Sequence, residues 1–200
     1  MYILIYMEIF QKFNKHLCMT DAQNCSHWFA NAIEYNKCGS LEKSLQELNK
    51  IKQLLELLLN TNDNLLGYLY NEIGIVLSKQ KKIDESMTFY KKAIKIISIN
   101  NGFECRQNTI IYNNIAKLYL IYYNYTRDIF YYNKSMKYYS NLIRLMKKVY
   151  GYNSIIVKKF LIKTGHILEK YHHYSDALLC YKNAIKIVEN TLGFYHSEIY

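Results

Sequence analysis

Residues 112–119 read YNNIAKLY, in which a small residue stands four positions after one large residue and three before another. The same pattern occurs three more times, as WFANAIEY at 28–35, YNEIGIVL at 70–77 and LIKTGHIL at 161–168. Its small residue recurs at spacings of 42, 42 and 49, at Ala32, Gly74, Ala116 and Gly165. Positions four and three apart share one face of an α-helix. The spacing therefore predicts an array of helical repeats.

A second helical pattern follows each of these segments. It begins at Ser44, Ser86, Ser135 and Ala177, each of which precedes a large residue by four positions. The distance from Ala116 to Ser135 exceeds that of the other repeats by seven residues, which indicates an insertion in the third repeat. Asn60, Gly102, Gly151 and Gly193 follow the second helices, and Gly or Asn can adopt the left-handed conformation that ends a helix.

These marks divide the chain into consecutive segments. The predicted organisation is an N-terminal half-repeat or capping helix at 1–20, repeats at 25–60, 67–102, 109–151 and 158–193, an insertion near 121–133, and the start of a further repeat or a tail at 194–200. The insertion is rich in tyrosine, and we predict that it forms a loop. Loops on a rigid scaffold often carry functional residues.

Composition agrees with an all-α class. The 200-residue chain has no Pro and only seven Gly, so few residues interrupt helices. Half of the residues are apolar, yet no apolar run is long enough to span a membrane, and we expect no membrane insertion. The five Cys lack metal-type spacing and indicate a reducing compartment, which favours a cytoplasmic location.

The order of large and small residues resembles the tetratricopeptide repeat, and the 42-residue period is similar to that of kinesin light chain-type repeats. Tyr112–Tyr119 resembles the first helix of that type and 192–199 its inter-repeat loop, although Ser197 stands where a loop proline is expected. The resemblance implies a right-handed superhelical solenoid of antiparallel helix pairs. It also implies an inner groove lined by first-helix residues, among them Phe29, Ile33, Asn71, Ile75, Asn113, Lys117 and His166.

The sequence offers little chemistry beyond binding. Cys25, His27 and Cys38 fall short of the four ligands of a zinc site, and His172 and His173 are interpreted as solvated turn residues. Cys180, next to the Tyr181 stripe, is interpreted as core. We expect no catalytic residue, no metal and no cofactor.

The leading hypothesis is a non-catalytic scaffold that binds a protein or peptide, with lysines of the groove favouring acidic residues in it. The net charge of +10 and the tyrosines of the insertion leave an RNA-binding array as an alternative. A third possibility is the helical C-terminal part of a larger enzyme, such as a SET and MYND type methyltransferase. Uncapped ends of the array would also permit self-association.

Overall fold

Helices make up most of the chain that the structure, a computed structural model, describes, namely residues 17–60 and 62–192 with Gln11 and Lys15. These residues contain no strand and eight helices: α1 (Met19–Lys37), α2 (Leu41–Leu58), α3 (Asn64–Lys79), α4 (Ile83–Asn101), α5 (Arg106–Thr126), α6 (Ile129–Tyr150), α7 (Ile155–Lys170) and α8 (Tyr174–Leu192). The predicted half-repeat at 1–20 lies almost wholly outside the described residues, as do Gly193 and the segment 194–200. None of the described helices combines the length and apolar character needed to cross a bilayer.

The helices form antiparallel pairs, because a turn of two or three residues joins the two members of each pair. The chain divides into two compact units, residues 1–103 and 104–200. In the first unit α1 packs on α2 and α3 on α4, and α2 contacts α3. In the second unit α5 packs on α6 and α7 on α8, and α6 contacts α7. The all-α class predicted from the spacing is confirmed.

The recurring small residue allows the two helices of a pair to approach closely. A Cβ atom added to Gly74 would lie 2.7 Å from a ring carbon of Tyr90, and one added to Gly165 would lie 2.4 Å from Tyr181. The recurring Ser closes the same contact with a buried hydrogen bond. Its hydroxyl donates to the carbonyl of the small residue, at 2.7 Å for Ser44 to Ala32, 2.8 Å for Ser86 to Gly74 and 2.8 Å for Ser135 to Ala116.

The turn inside each pair contains one residue in the left-handed conformation. These residues are Gly39, Lys81, Arg127 and His172, with φ of 78°, 64°, 56° and 64°. In three of the turns the next amide donates to a carbonyl five residues earlier, which satisfies the end of the first helix. Between pairs, Gly102 and Gly151 have positive φ as predicted, whereas α2 ends at Leu59 in an extended conformation.

The insertion in the third repeat is helical, and the prediction of a loop is wrong. α5 has 21 residues where α3 and α7 have 16, and α6 has 22 where α4 and α8 have 19. Only Arg127 and Asp128 connect the two helices, and the Asp128 carboxylate caps α6 by accepting from the Phe130 amide. The added residues extend the amphipathic pattern of both helices, so packing continues through them.

Candidate functional site

The residues predicted for the groove differ widely in accessibility. Phe29 is only 1% exposed, in the core of the first unit, so its prediction as a groove anchor is wrong. Asn71 is also buried, and its amide donates to Glu72 at 3.2 Å rather than facing an open groove. Ile33, Ile75, Asn113 and Lys117 are half-buried and His166 is exposed. Glu72 and Val76 of α3 line the same small space as Phe29, a neighbour relation that the pattern of a single repeat does not reveal.

A polar cluster lies between the first helices of the first unit. The ammonium of Lys79 on α3 donates to the Asn36 side-chain oxygen at 2.5 Å and to its backbone carbonyl at 3.3 Å. Glu72 lies about two helical turns before Lys79 and is buried beside Asn36. Together these residues form the Asn36–Glu72–Lys79 cluster, and it ties α1 to α3.

The carboxyl of Glu72 has unusual electrostatics. Its burial raises the pKa to about 7, although the hydrogen bond from Asn71 and the charge of Lys79 act in the opposite direction. The space beside it has a volume of about 10 Å³, which holds no more than a single water. The cluster is therefore a structural contact with a titratable group and leaves no room for a small-molecule ligand.

Two lysines of the second unit interact electrostatically. Lys117 on α5 is half-buried, and its pKa is lowered first by burial and then by the charge of Lys163 on α7. Among the described residues, Lys117 forms no ion pair with a carboxylate. Lys117 is one of the predicted groove residues, and Lys163 is exposed on the first helix of the following pair. We call them the Lys117–Lys163 pair.

His166 is part of a small exposed network. The Tyr181 hydroxyl lies 3.0 Å from His166 Nδ1 and donates to Glu169 at 2.9 Å. Because Tyr181 lies against Gly165, its ring reaches across α7 to these side chains. The predicted groove residue His166 is thus accessible and already oriented by its own chain.

The tyrosines of the insertion contact the turn of the fourth pair. The Tyr132 ring stacks on His173 with centroids 3.8 Å apart, and its hydroxyl donates to the Asp176 carboxylate. Tyr123 lies 5.3 Å from both rings. Burial lowers the pKa of His173, so its interpretation as a solvated turn residue is wrong. These tyrosines pack within the unit, whereas Tyr125 is exposed.

The cysteines do not gather into a site. Cys25 is fully buried, and burial raises its thiol pKa to about 12, whereas Cys38 is exposed. Cys180 is buried, as predicted. The part of the chain that the structure describes contains no group of three His, Cys, Asp or Glu placed to hold a metal ion.

Comparison with solved structures decides the type of fold. BtubC (BKLC) from P. vanneervenii superposes with a TM-score of 0.63 at 16% identity, over 98% of this chain and 77% of that one. A kinesin light chain-like protein of Podosopora anserina with nearly identical TPR-like repeats superposes with a TM-score of 0.64 at 10% identity, over 86% of this chain and 79% of that one. The chain has the tetratricopeptide-like fold of the kinesin light chain type. No family model matches the sequence, and no curated protein is significantly similar to it.

Sequence reasoning missed the buried carboxyl of this tetratricopeptide-like chain, although a signal was present. Leu65, Leu69, Glu72 and Val76 are spaced by four, three and four residues, so Glu72 interrupts an apolar stripe of α3. A charged residue on such a stripe indicates a paired or titrated group. The contact between Tyr132 and His173 had no comparable signal, because it depends on how far the insertion extends both helices.

Proposed function

We propose that the chain is a non-catalytic scaffold for protein–protein interaction, and that the Lys117–Lys163 pair binds an acidic segment of a partner protein. Tetratricopeptide-like repeats stack helix pairs into a surface whose side chains are held at fixed positions. Such a surface binds a segment by a few anchors and by complementary charge.

The observation that carries this proposal is the electrostatic state of Lys117. A half-buried ammonium that experiences the charge of a second ammonium is less stable than one in water, and both burial and the charge of Lys163 lower the pKa of Lys117. A carboxylate placed between Lys117 and Lys163 would relieve the repulsion and restore favourable charge interactions. The free protein therefore favours an anionic side chain at this position over a neutral or cationic one.

Two fluorescein-labelled peptides test the proposal, one of alternating Glu and Ser and one of alternating Lys and Ser. We expect the full chain to bind the Glu peptide and not the Lys peptide in anisotropy titrations. The double variant Lys117→Gln with Lys163→Gln should bind the Glu peptide roughly tenfold more weakly, the effect of losing about 1.4 kcal/mol of charge interaction.

A matched control separates a site from general charge. Lys137→Gln with Lys186→Gln removes the same two charges from exposed positions of the same unit. If this control weakens binding as much as the first pair does, the Lys117–Lys163 pair is not the site. The wild type could instead bind single-stranded oligouridine more tightly than the Glu peptide. If Lys117→Gln with Lys163→Gln abolished that binding, the pair would be assigned to RNA.

A further inference from the structure

The fourth helix pair displays an apolar face to solvent. Tyr174, Leu178, Tyr181 and Ile185 are spaced by four, three and four residues and share one side of α8. Tyr174 is 61% exposed, Leu178 52% and Ile185 39%, and Ile162 on the neighbouring α7 is 37% exposed. The contact of Tyr181 with His166 places the two helices side by side at this face. We call these five apolar residues the α8 end face.

The same surface is filled in the preceding pair. Forty-two residues earlier α6 has Tyr132, Met136, Tyr139 and Ile143, with the same spacing. Tyr132 and Tyr139 are buried, and Met136 and Ile143 pack against the core to which α7 contributes Val157, Leu161 and Leu168. The α8 end face thus repeats a surface on which, within the same unit, a helix docks.

The helix that packs on α6 indicates what kind of helix could pack on the α8 end face. Val157, Leu161, Thr164 and Leu168 of α7 are buried and follow the spacing of four, three and four. A helix with an apolar stripe of this spacing can pack against Leu178 and Ile185 in the same way.

The charges at the border of the face indicate which residues should flank the apolar stripe of that helix. Lys159 lies one turn before Ile162, and Lys182 lies one turn after Leu178, and both are exposed. The nearby carboxylate of Glu169 accepts a hydrogen bond from Tyr181. A second copy of this face would bring the same lysines together, whereas acidic residues beside an apolar stripe would complement them.

We propose that the α8 end face is a docking surface for an amphipathic helix of a partner protein, with Asp or Glu bordering its apolar stripe. This surface is separate from the Lys117–Lys163 pair and adds a second contact to the scaffold. It binds by apolar burial, with charge fixing the orientation of the helix.

The probe is a fluorescein-labelled helical peptide with Leu at a spacing of four, three and four and Glu and Ala elsewhere, and its counterpart has Lys in place of Glu. Anisotropy titrations of the full chain should show binding of the Glu peptide and at least about tenfold weaker binding of the Lys peptide. The double variant Leu178→Gln with Ile185→Gln should bind the Glu peptide about tenfold or more weakly than the wild type, because two apolar anchors are lost.

Controls keep the outcomes distinct. Leu57→Gln alters an apolar residue that is 82% exposed in the first unit and should leave binding unchanged. Helical circular dichroism and the melting temperature should be those of the wild type in Leu57→Gln and in Leu178→Gln with Ile185→Gln, since these side chains are exposed. The double variant Lys117→Gln with Lys163→Gln should bind this peptide as tightly as the wild type does. This test is therefore independent of whether the Lys117–Lys163 pair binds an acidic segment.

Three results would overturn the proposal. The wild type could fail to bind the Glu peptide, it could bind both peptides equally, or Leu57→Gln could weaken binding as much as the double variant does. The free chain could also sediment as a dimer. If Leu178→Gln with Ile185→Gln dissociated that dimer, the face would be assigned to a second copy of this chain instead.

Discussion

Replacing the buried carboxyl of Glu72 should change how the stability of the first unit depends on pH. In the folded chain burial raises the pKa of Glu72 from 4.5 to about 7, and in the unfolded chain the group returns to its ordinary value. Between these values the folded chain retains a proton that the unfolded chain has lost. The contribution of Glu72 to stability therefore falls as the pH rises through this window and is constant above it.

The magnitude follows from the two pKa values. Between about pH 5.5 and about pH 8, the ionisation of Glu72 should remove about 2 kcal/mol from the free energy of unfolding. Glu72→Gln abolishes this titration and keeps an oxygen that can accept from Asn71. The variant should therefore gain about 2 kcal/mol relative to wild type on going from the lower pH to the higher. Comparing the two proteins at each pH cancels every other titrating group.

Trp28 provides the assay, because it is the one tryptophan of the chain and belongs to α1 in the first unit. Urea titrations followed by tryptophan fluorescence at both pH values give the free energy of unfolding of that unit. Glu34→Gln, at an exposed position of α1, is the matched control and should show no such gain. A difference between Glu72→Gln and wild type that is the same at both pH values, within about 0.5 kcal/mol, would refute the reasoning.

The other predictions concern packing and turns. Gly74→Ala should lower the stability of the first unit by about 1–2 kcal/mol in the same urea titration, because the added methyl meets the buried Tyr90 ring. Ser86→Ala should cost about 1 kcal/mol by removing the buried hydrogen bond to the Gly74 carbonyl. Lys81→Gly should stabilise the unit by about 0.5–1 kcal/mol, because Gly adopts positive φ without a steric penalty. In the second unit, burial lowers the pKa of His173, so acidification below about pH 6.5 should lower the hydrogen-exchange protection factors of amides at the start of α8, each corrected for the intrinsic exchange rate at that pH.

The helix pairs and their closest contacts were predictable because they depend on local spacing. Gly74 and Tyr90 lie sixteen positions apart in one repeat, and the pattern that places a small residue opposite a large one is visible in the sequence. The turn position was visible in principle as well. Gly39 recurs as Lys81 at the 42-residue spacing, yet the change of residue type concealed the shared left-handed conformation.

The candidate site was less predictable because burial depends on the neighbouring pair. Phe29 and Ile162 hold equivalent positions on first helices, one residue after Trp28 and Leu161, yet Phe29 is buried and Ile162 is exposed. Lys117 could be placed on the groove side from the pattern, whereas its proximity to Lys163 depends on how two pairs pack. A repeat pattern identifies which positions are alike and leaves open what covers each of them.

The helical insertion shows how such a chain can lengthen. Compared with the neighbouring pairs, α5 is five residues longer and α6 three residues longer, and the turn between them is one residue shorter. Buried residues continue towards the lengthened ends, as Leu120 on α5 and Tyr132 on α6 show, so the apolar faces of the two helices meet there too. A pair of this fold can thus lengthen at its turn while the rest of its core keeps its place, and its reach can change without a new core.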